Sequence, residues 1–113
     1  MAAVTSQIEL VRQVLESYAA SARPSRPDGV ETLLYYDPVL QAWQLRRLGW
    51  NKDRRVNSSL IQARIKHGKV IIEENNTEWN VADDLWKAGI PLEEIELGFV
   101  PPALRRPLVL QVA

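Results

Sequence analysis

The stretch that decides the fold is Val56-Asn57-Ser58-Ser59-Leu60-Ile61-Gln62-Ala63-Arg64-Ile65-Lys66-His67-Gly68-Lys69-Val70-Ile71-Ile72-Glu73-Glu74. Two runs rich in β-branched residues flank His67-Gly68, and a two-residue loop ending in glycine suits a type I′ turn with positive φ at both central positions. The hairpin register that follows places Ile65 opposite Val70 and Ala63 opposite Ile72 on one side. Arg64 faces Ile71 and Gln62 faces Glu73 on the other. The first side is the natural core.

Upstream, Val30-Glu31-Thr32-Leu33-Leu34-Tyr35-Tyr36 has strand composition and Asp37-Pro38 starts a turn. Trp43 to Trp50 then returns antiparallel. Val30, Thr32, Leu34 and Tyr36 alternate onto one face, whereas Leu33 and Tyr35 fall on the other with Leu48 and Trp50 as neighbours. Both faces therefore carry apolar bulk. One helix cannot cover the two, so either later segments fold over the second face or another subunit does. Leu33, Tyr35, Leu48 and Trp50 are the candidate subunit contacts.

Before this sheet, Ser6-Gln7-Ile8-Glu9 has capping-box spacing. Ile8, Val11, Leu15, Tyr18 and Ala22 make a helical stripe beside Val14, with Arg12, Gln13, Glu16 and Ser17 on the wet side. Arg23 to Gly29 stops the helix with two prolines and a glycine. After the sheet, Asn80 to Gly89 reads as a short helix capped by Thr77 or Asn80, with Gly89 in the position past its end. Pro91 to Ile95 adds a helical turn. Pro101-Pro102 blocks extended pairing, and Leu108 to Val112 is an apolar tail expected to dock, as an edge strand for example. The sum is a single α+β domain over residues 1–113: an N-terminal helix on an antiparallel sheet of about four strands, then short helices and a C-terminal extended segment.

The 113-residue length fits one core, and the absence of cysteine excludes disulfides, thiolate zinc sites, iron–sulfur clusters and a cysteine nucleophile. No apolar run approaches a membrane span, and Met1-Ala2-Ala3-Val4 does not open a secretory leader, so the expected compartment is the cytoplasm. The lone histidine, His67, sits on a hairpin tip, where it lacks the pocket and orienting partner that a general base requires. The doublets Glu73-Glu74, Asp83-Asp84 and Glu93-Glu94 diverge on their elements and make no preformed metal site. No phosphate loop, dinucleotide fingerprint, nucleophile elbow or zinc-protease motif is present. No cofactor is expected.

Charge is balanced overall and segregated locally. Arg46, Arg47, Lys52, Arg54, Arg55, Arg64, Lys66 and Lys69 are interrupted by Asp53 alone, while Glu73, Glu74, Glu78, Asp83, Asp84, Glu93, Glu94 and Glu96 are interrupted by Lys87 alone. Such blocks either face each other within one fold or offer the basic part to phosphate, an acidic partner or a second copy. Lys52-Asp53-Arg54-Arg55 reads as an exposed loop. With Arg46 and Arg47 its cations are the candidate partner or phosphate contacts. Trp43, Trp50 and Trp86 read as core or subunit-contact residues, with base stacking as the alternative.

Leu48-Gly49-Trp50-Asn51 with Arg54-Arg55-Val56, Ile65 to Val70, Asn76-Thr77-Glu78, Ala88-Gly89-Ile90-Pro91 and Leu97-Gly98-Phe99-Val100-Pro101-Pro102 together resemble the XisI family. These are small fdxN element excision controlling factors found mainly in cyanobacteria, and the likeness runs in unchanged order over nearly the whole chain. The resemblance implies a compact α+β domain that self-associates. It also implies a non-enzymatic accessory that works with a nuclease-like companion, XisH, in recombinase-dependent excision of a DNA element during heterocyst differentiation. No catalytic residue is carried over. The family pattern has a histidine within the Gly-Phe-x-Pro-Pro stretch where this chain has Val100, so any role of that histidine does not transfer. Direct DNA binding through the basic block 46–69 is the other function the residues admit.

Overall fold

In the computed structural model, which describes residues 4–22 and 29–105, helix α1 (Val4–Ser21) is followed by strands β1 (Val30–Asp37), β2 (Ala42–Asn51), β3 (Arg54–Lys66) and β4 (Lys69–Asn75). Helix α2 (Val81–Ala88), a 3₁₀ turn (Leu92–Glu94), strand β5 (Ile95–Leu97) and a second 3₁₀ turn (Pro102–Leu104) complete it. The sheet order is β1-β2-β3-β4-β5, antiparallel except for β4 with β5. The α+β expectation holds, with five strands in place of about four. The parallel fifth strand was not foreseen. Most of the Arg23 to Gly29 loop and the Leu108 to Val112 tail lie outside the described residues.

His67 and Gly68 adopt φ of 54° and 73°, as the two-residue turn requires. Ile65 pairs with Val70 and Ala63 with Ile72, so the core side of this hairpin is as expected. One pair differs: Gln62 meets Glu74, because a bulge beside Ala63 leaves Glu73 as an extra residue on β4. Glu73 turns toward Arg64, whose Nε lies 2.5 Å from its Oε2, an ion pair without hydrogen-bond alignment.

Alternation from Trp43 and Leu45 through Ile61, Ala63 and Ile65 to Val70 and Ile72 fills one face with side chains at most 4% exposed. Val11, Val14, Leu15 and Tyr18 of α1 close on it, as the helical stripe predicts. Burying each such side chain contributes about 1.5–3 kcal/mol. Helix α1 starts two residues before the expected cap, so Ser6 lies within its first turn and the capping-box reading does not describe this end. Gln7 is buried here instead, and its Nε2 donates to the Gly68 carbonyl and to Glu94 Oε1, both at 2.8 Å. Helix α2 has the cap foreseen for it: Asn80 Oδ1 accepts from the Asp83 amide, and Gly89 has φ of 122°.

Both helices pack on the same side of the sheet. Tyr18 joins them, since its hydroxyl donates to Asp84 Oδ2 and its ring stacks on Trp79 with centroids 4.3 Å apart. Burial first, and then the Asp84 carboxylate, hold the Tyr18 hydroxyl well above the usual tyrosine range. The bend after β5 reaches the β4 edge of the second face, where Gly98 lies against the Ile71 and Glu73 side chains, while the β1–β2 part of that face stays open.

Candidate interaction surface

Strand β2 carries the candidate residues because its alternation serves two environments. Its odd positions from Trp43 to Arg47 face the helices, and its even positions, Ala42 to Trp50, face the opposite side. On that outer side Leu33 lies opposite Arg46, Tyr35 opposite Gln44, and Leu48 opposite Glu31 and Asn57. Leu33, Tyr35 and Leu48 therefore share a face, as expected. The face is less purely apolar than the expectation: Gln44, Arg46, Asn57 and Gln62 are interleaved with the hydrocarbon.

A shallow depression of about 460 Å³ runs across this face, lined by Tyr35, Tyr36, Leu40, Gln44, Arg46 and Leu48 among others. Tyr35 is 47% exposed. At its upper end the β1–β2 turn presents Val39, 88% exposed, and Leu40. Asp37 Oδ1 accepts from the Val39 and Leu40 amides, which fixes the turn with these apolar side chains outward. Asp37-Pro38 signalled the turn, but nothing in the local sequence tells a presented turn from a packed one.

Trp50 sits on the same face two residue steps beyond Leu48 and does not line the depression. It is 51% exposed, and the Arg55 guanidinium lies over its ring at 5.3 Å. Trp43 is core, whereas Trp50 and Trp86 are exposed, so for these two only the contact half of the expectation stands. All four candidate subunit contacts therefore lie on the outer face, with Trp50 beyond the last residue of β1 that pairs with β2.

The basic candidates gather at the other end of β2. Lys52 and Asp53 form the β2–β3 turn, with Lys52 at φ of 59°. Arg54 and Arg55 are the first residues of β3, a correction to the loop reading: their pairing with Asn51 and Trp50 extends the ladder to the turn. Arg46 stands on the outer face, with Nη2 donating to Asn57 Oδ1 at 2.7 Å, and Arg47 on the helix side. The charge blocks do not neutralise each other in general. Arg64 with Glu73 is the one ion pair between them among the described residues, and Lys69 Nζ donates to the Glu93 carbonyl at 2.7 Å.

His67 is exposed at its turn, and among the described residues no group of three His, Asp or Glu side chains is placed to hold a metal ion. No helix among them is long and apolar enough to cross a membrane. Two glycines of the motif series have a steric reason. A Cβ on Gly49 would meet the Gly29 carbonyl oxygen at 2.4 Å, and one on Gly98 would meet Glu73 Oε1 at 2.1 Å and Ile71 Cγ2 at 2.8 Å. Val100 lies in the bend between β5 and the second 3₁₀ turn, where its carbonyl accepts from Arg105 Nε at 2.8 Å.

Comparison with known proteins adds three findings. The family model described as XisI protein matches residues 1–109. The fold is similar to the crystal structure of a XisI-like protein from Anabaena variabilis, at 33% identity and a TM-score of 0.82, covering 91% of this chain and 93% of that one. It is also similar to fdxN element excision controlling factor XisI from Anabaena variabilis, at 29% identity and a TM-score of 0.76, covering 91% and 98%. No curated protein matches the chain.

Proposed function

Because the chain belongs to the XisI family, we propose that it is a non-enzymatic accessory factor that controls excision of a DNA element through protein contacts. It acts with an XisH-like companion in recombinase-dependent excision, in the cytoplasm and as part of an oligomer. The name of the similar protein, an excision controlling factor, supports the control role. The observation that carries the reading is the outer sheet face. Tyr35 and Leu48 line a depression that no described segment covers, Leu33 shares their face opposite Arg46, and both helices pack on the opposite side. An amphipathic sheet face of this kind gains by being covered by another protein, because its hydrocarbon leaves water while Gln44, Arg46 and Gln62 supply hydrogen bonds at the contact.

Co-expression with the product of an adjacent XisH-like reading frame tests this. Copurification of the two at a fixed ratio is the expected result. Separate elution of two folded proteins would refute the companion role.

A further inference from the structure

We propose that the β2–β3 arm, Trp50 to Arg55, enters the major groove of duplex DNA tip-first and grips the phosphates on either side. This goes beyond the protein-contact reading, which requires no contact with DNA and fails or stands separately.

The arm is defined by where pairing stops. Strand β1 accompanies β2 only as far as Val30 opposite Gly49, and β4 leaves β3 at Asn75 opposite Ile61. Beyond Gly49, among the described residues, the two strands pair only with each other: Trp50 with Arg55, Asn51 with Arg54, and the Lys52-Asp53 turn. Three steps at about 3.3 Å carry the tip about 10 Å past the end of β1. A major groove about 12 Å wide and about 8.5 Å deep admits a two-stranded ribbon of this reach.

Cations are distributed over the ribbon as such an insertion requires. Arg55 and Trp50 share the outer face, Arg54 lies on the opposite face and Lys52 occupies the tip, with Arg46 and Arg47 on the two faces nearer the base. None of these five has an ion-pair partner among the described residues. Arg46 is fixed by a neutral amide and Arg55 by the Gly49 carbonyl, so both side chains are aimed without loss of charge. Five cations against the single Asp53 carboxylate on one hairpin repel one another, and a polyanion relieves that repulsion. The Trp50 ring is already covered on one side by Arg55.

Fluorescence anisotropy with a labelled 25-base-pair duplex between 50 and 200 mM KCl tests the proposal. Five neutralised phosphates give a log–log slope of about −4.5, a loss of affinity of about 500-fold over that range. The triple variant Lys52→Gln/Arg54→Gln/Arg55→Gln should bind with a slope near −1.8, and Lys52→Gln alone near −3.6. Lys66→Gln, at the opposite end of β3, should leave the slope unchanged. Circular dichroism confirms that each variant is folded. The proposal is overturned if the wild type does not bind at 50 mM KCl, or if the arm substitutions leave the slope as it was. Displacement of the duplex by polyglutamate at equal charge concentration would also overturn it, assigning the arm to an acidic protein segment.

Discussion

Replacing Gly49 with alanine tests the point at which the arm leaves the sheet. The residue has φ of 150°, and an added Cβ would stand 2.4 Å from the Gly29 carbonyl oxygen and 3.0 Å from Val30 Cα. Both neighbours are backbone, so no side-chain rotation relieves the contact; β1 must move away from β2. A positive φ of this kind costs an L-residue about 1–3 kcal/mol, and overpacking typically adds about 1–3 kcal/mol. We expect a loss of about 3–5 kcal/mol. For a chain of this length each kcal/mol lowers Tm by about 4 °C, so thermal unfolding followed by circular dichroism should shift by about 12–20 °C. Gly68→Ala is the matched control: its φ of 73° is also left-handed, but no atom lies within 4 Å of the new Cβ. It should cost only about 1–2 kcal/mol. Equal shifts for the two variants, or a Gly49→Ala shift below about 2 °C, would show that β1 does not approach β2 as described.

Other consequences are open to direct measurement. Leu45→Ala, at a fully buried position, should lose about 2–5 kcal/mol in urea unfolding. Tyr18→Phe removes the hydrogen bond to Asp84 and should cost about 1.5–3 kcal/mol near neutral pH. The folded-state pKa of Tyr18 is raised above its ordinary value of 10.0, so its contribution is present below pH 10 and declines as pH rises from there. The stability gap between wild type and Tyr18→Phe should accordingly narrow above pH 10 and stay level between pH 6 and 9. In sedimentation at micromolar concentration the wild type should run as more than a monomer, and a single species at 12.9 kDa would count against self-association.

What the residues disclosed about the fold follows the range of the interactions involved. The His67-Gly68 turn was legible because type I′ geometry is decided by two adjacent residues and their flanks. The α1 stripe was legible because periodicity is local. The bulge that displaces Glu73 was not, since a register shift depends on both strands and on the Arg64 side chain that Glu73 meets. Strand β5 escaped for a similar reason: three residues, Ile95 to Leu97, pair in parallel with β4 across some twenty intervening positions. At the candidate surface, alternation correctly put Leu33, Tyr35 and Leu48 on one face. It also put Trp50 on that face, but could not show that β1 ends before reaching it, because that depends on the pairing of the two strands. Segregation of charge was visible by counting. Only the packing shows that, among the described residues, Arg64 alone of the basic block reaches a carboxylate.

The account rests on the outer sheet face being where this chain meets another protein, and copurification of the companion with surface variants tests that most directly. Leu33→Thr/Tyr35→Thr, folded by circular dichroism, should lose the co-expressed XisH-like protein, while Lys52→Gln/Arg54→Gln/Arg55→Gln retains it. Full recovery of the companion with the outer-face variant, or its loss with the arm variant alone, would contradict the account.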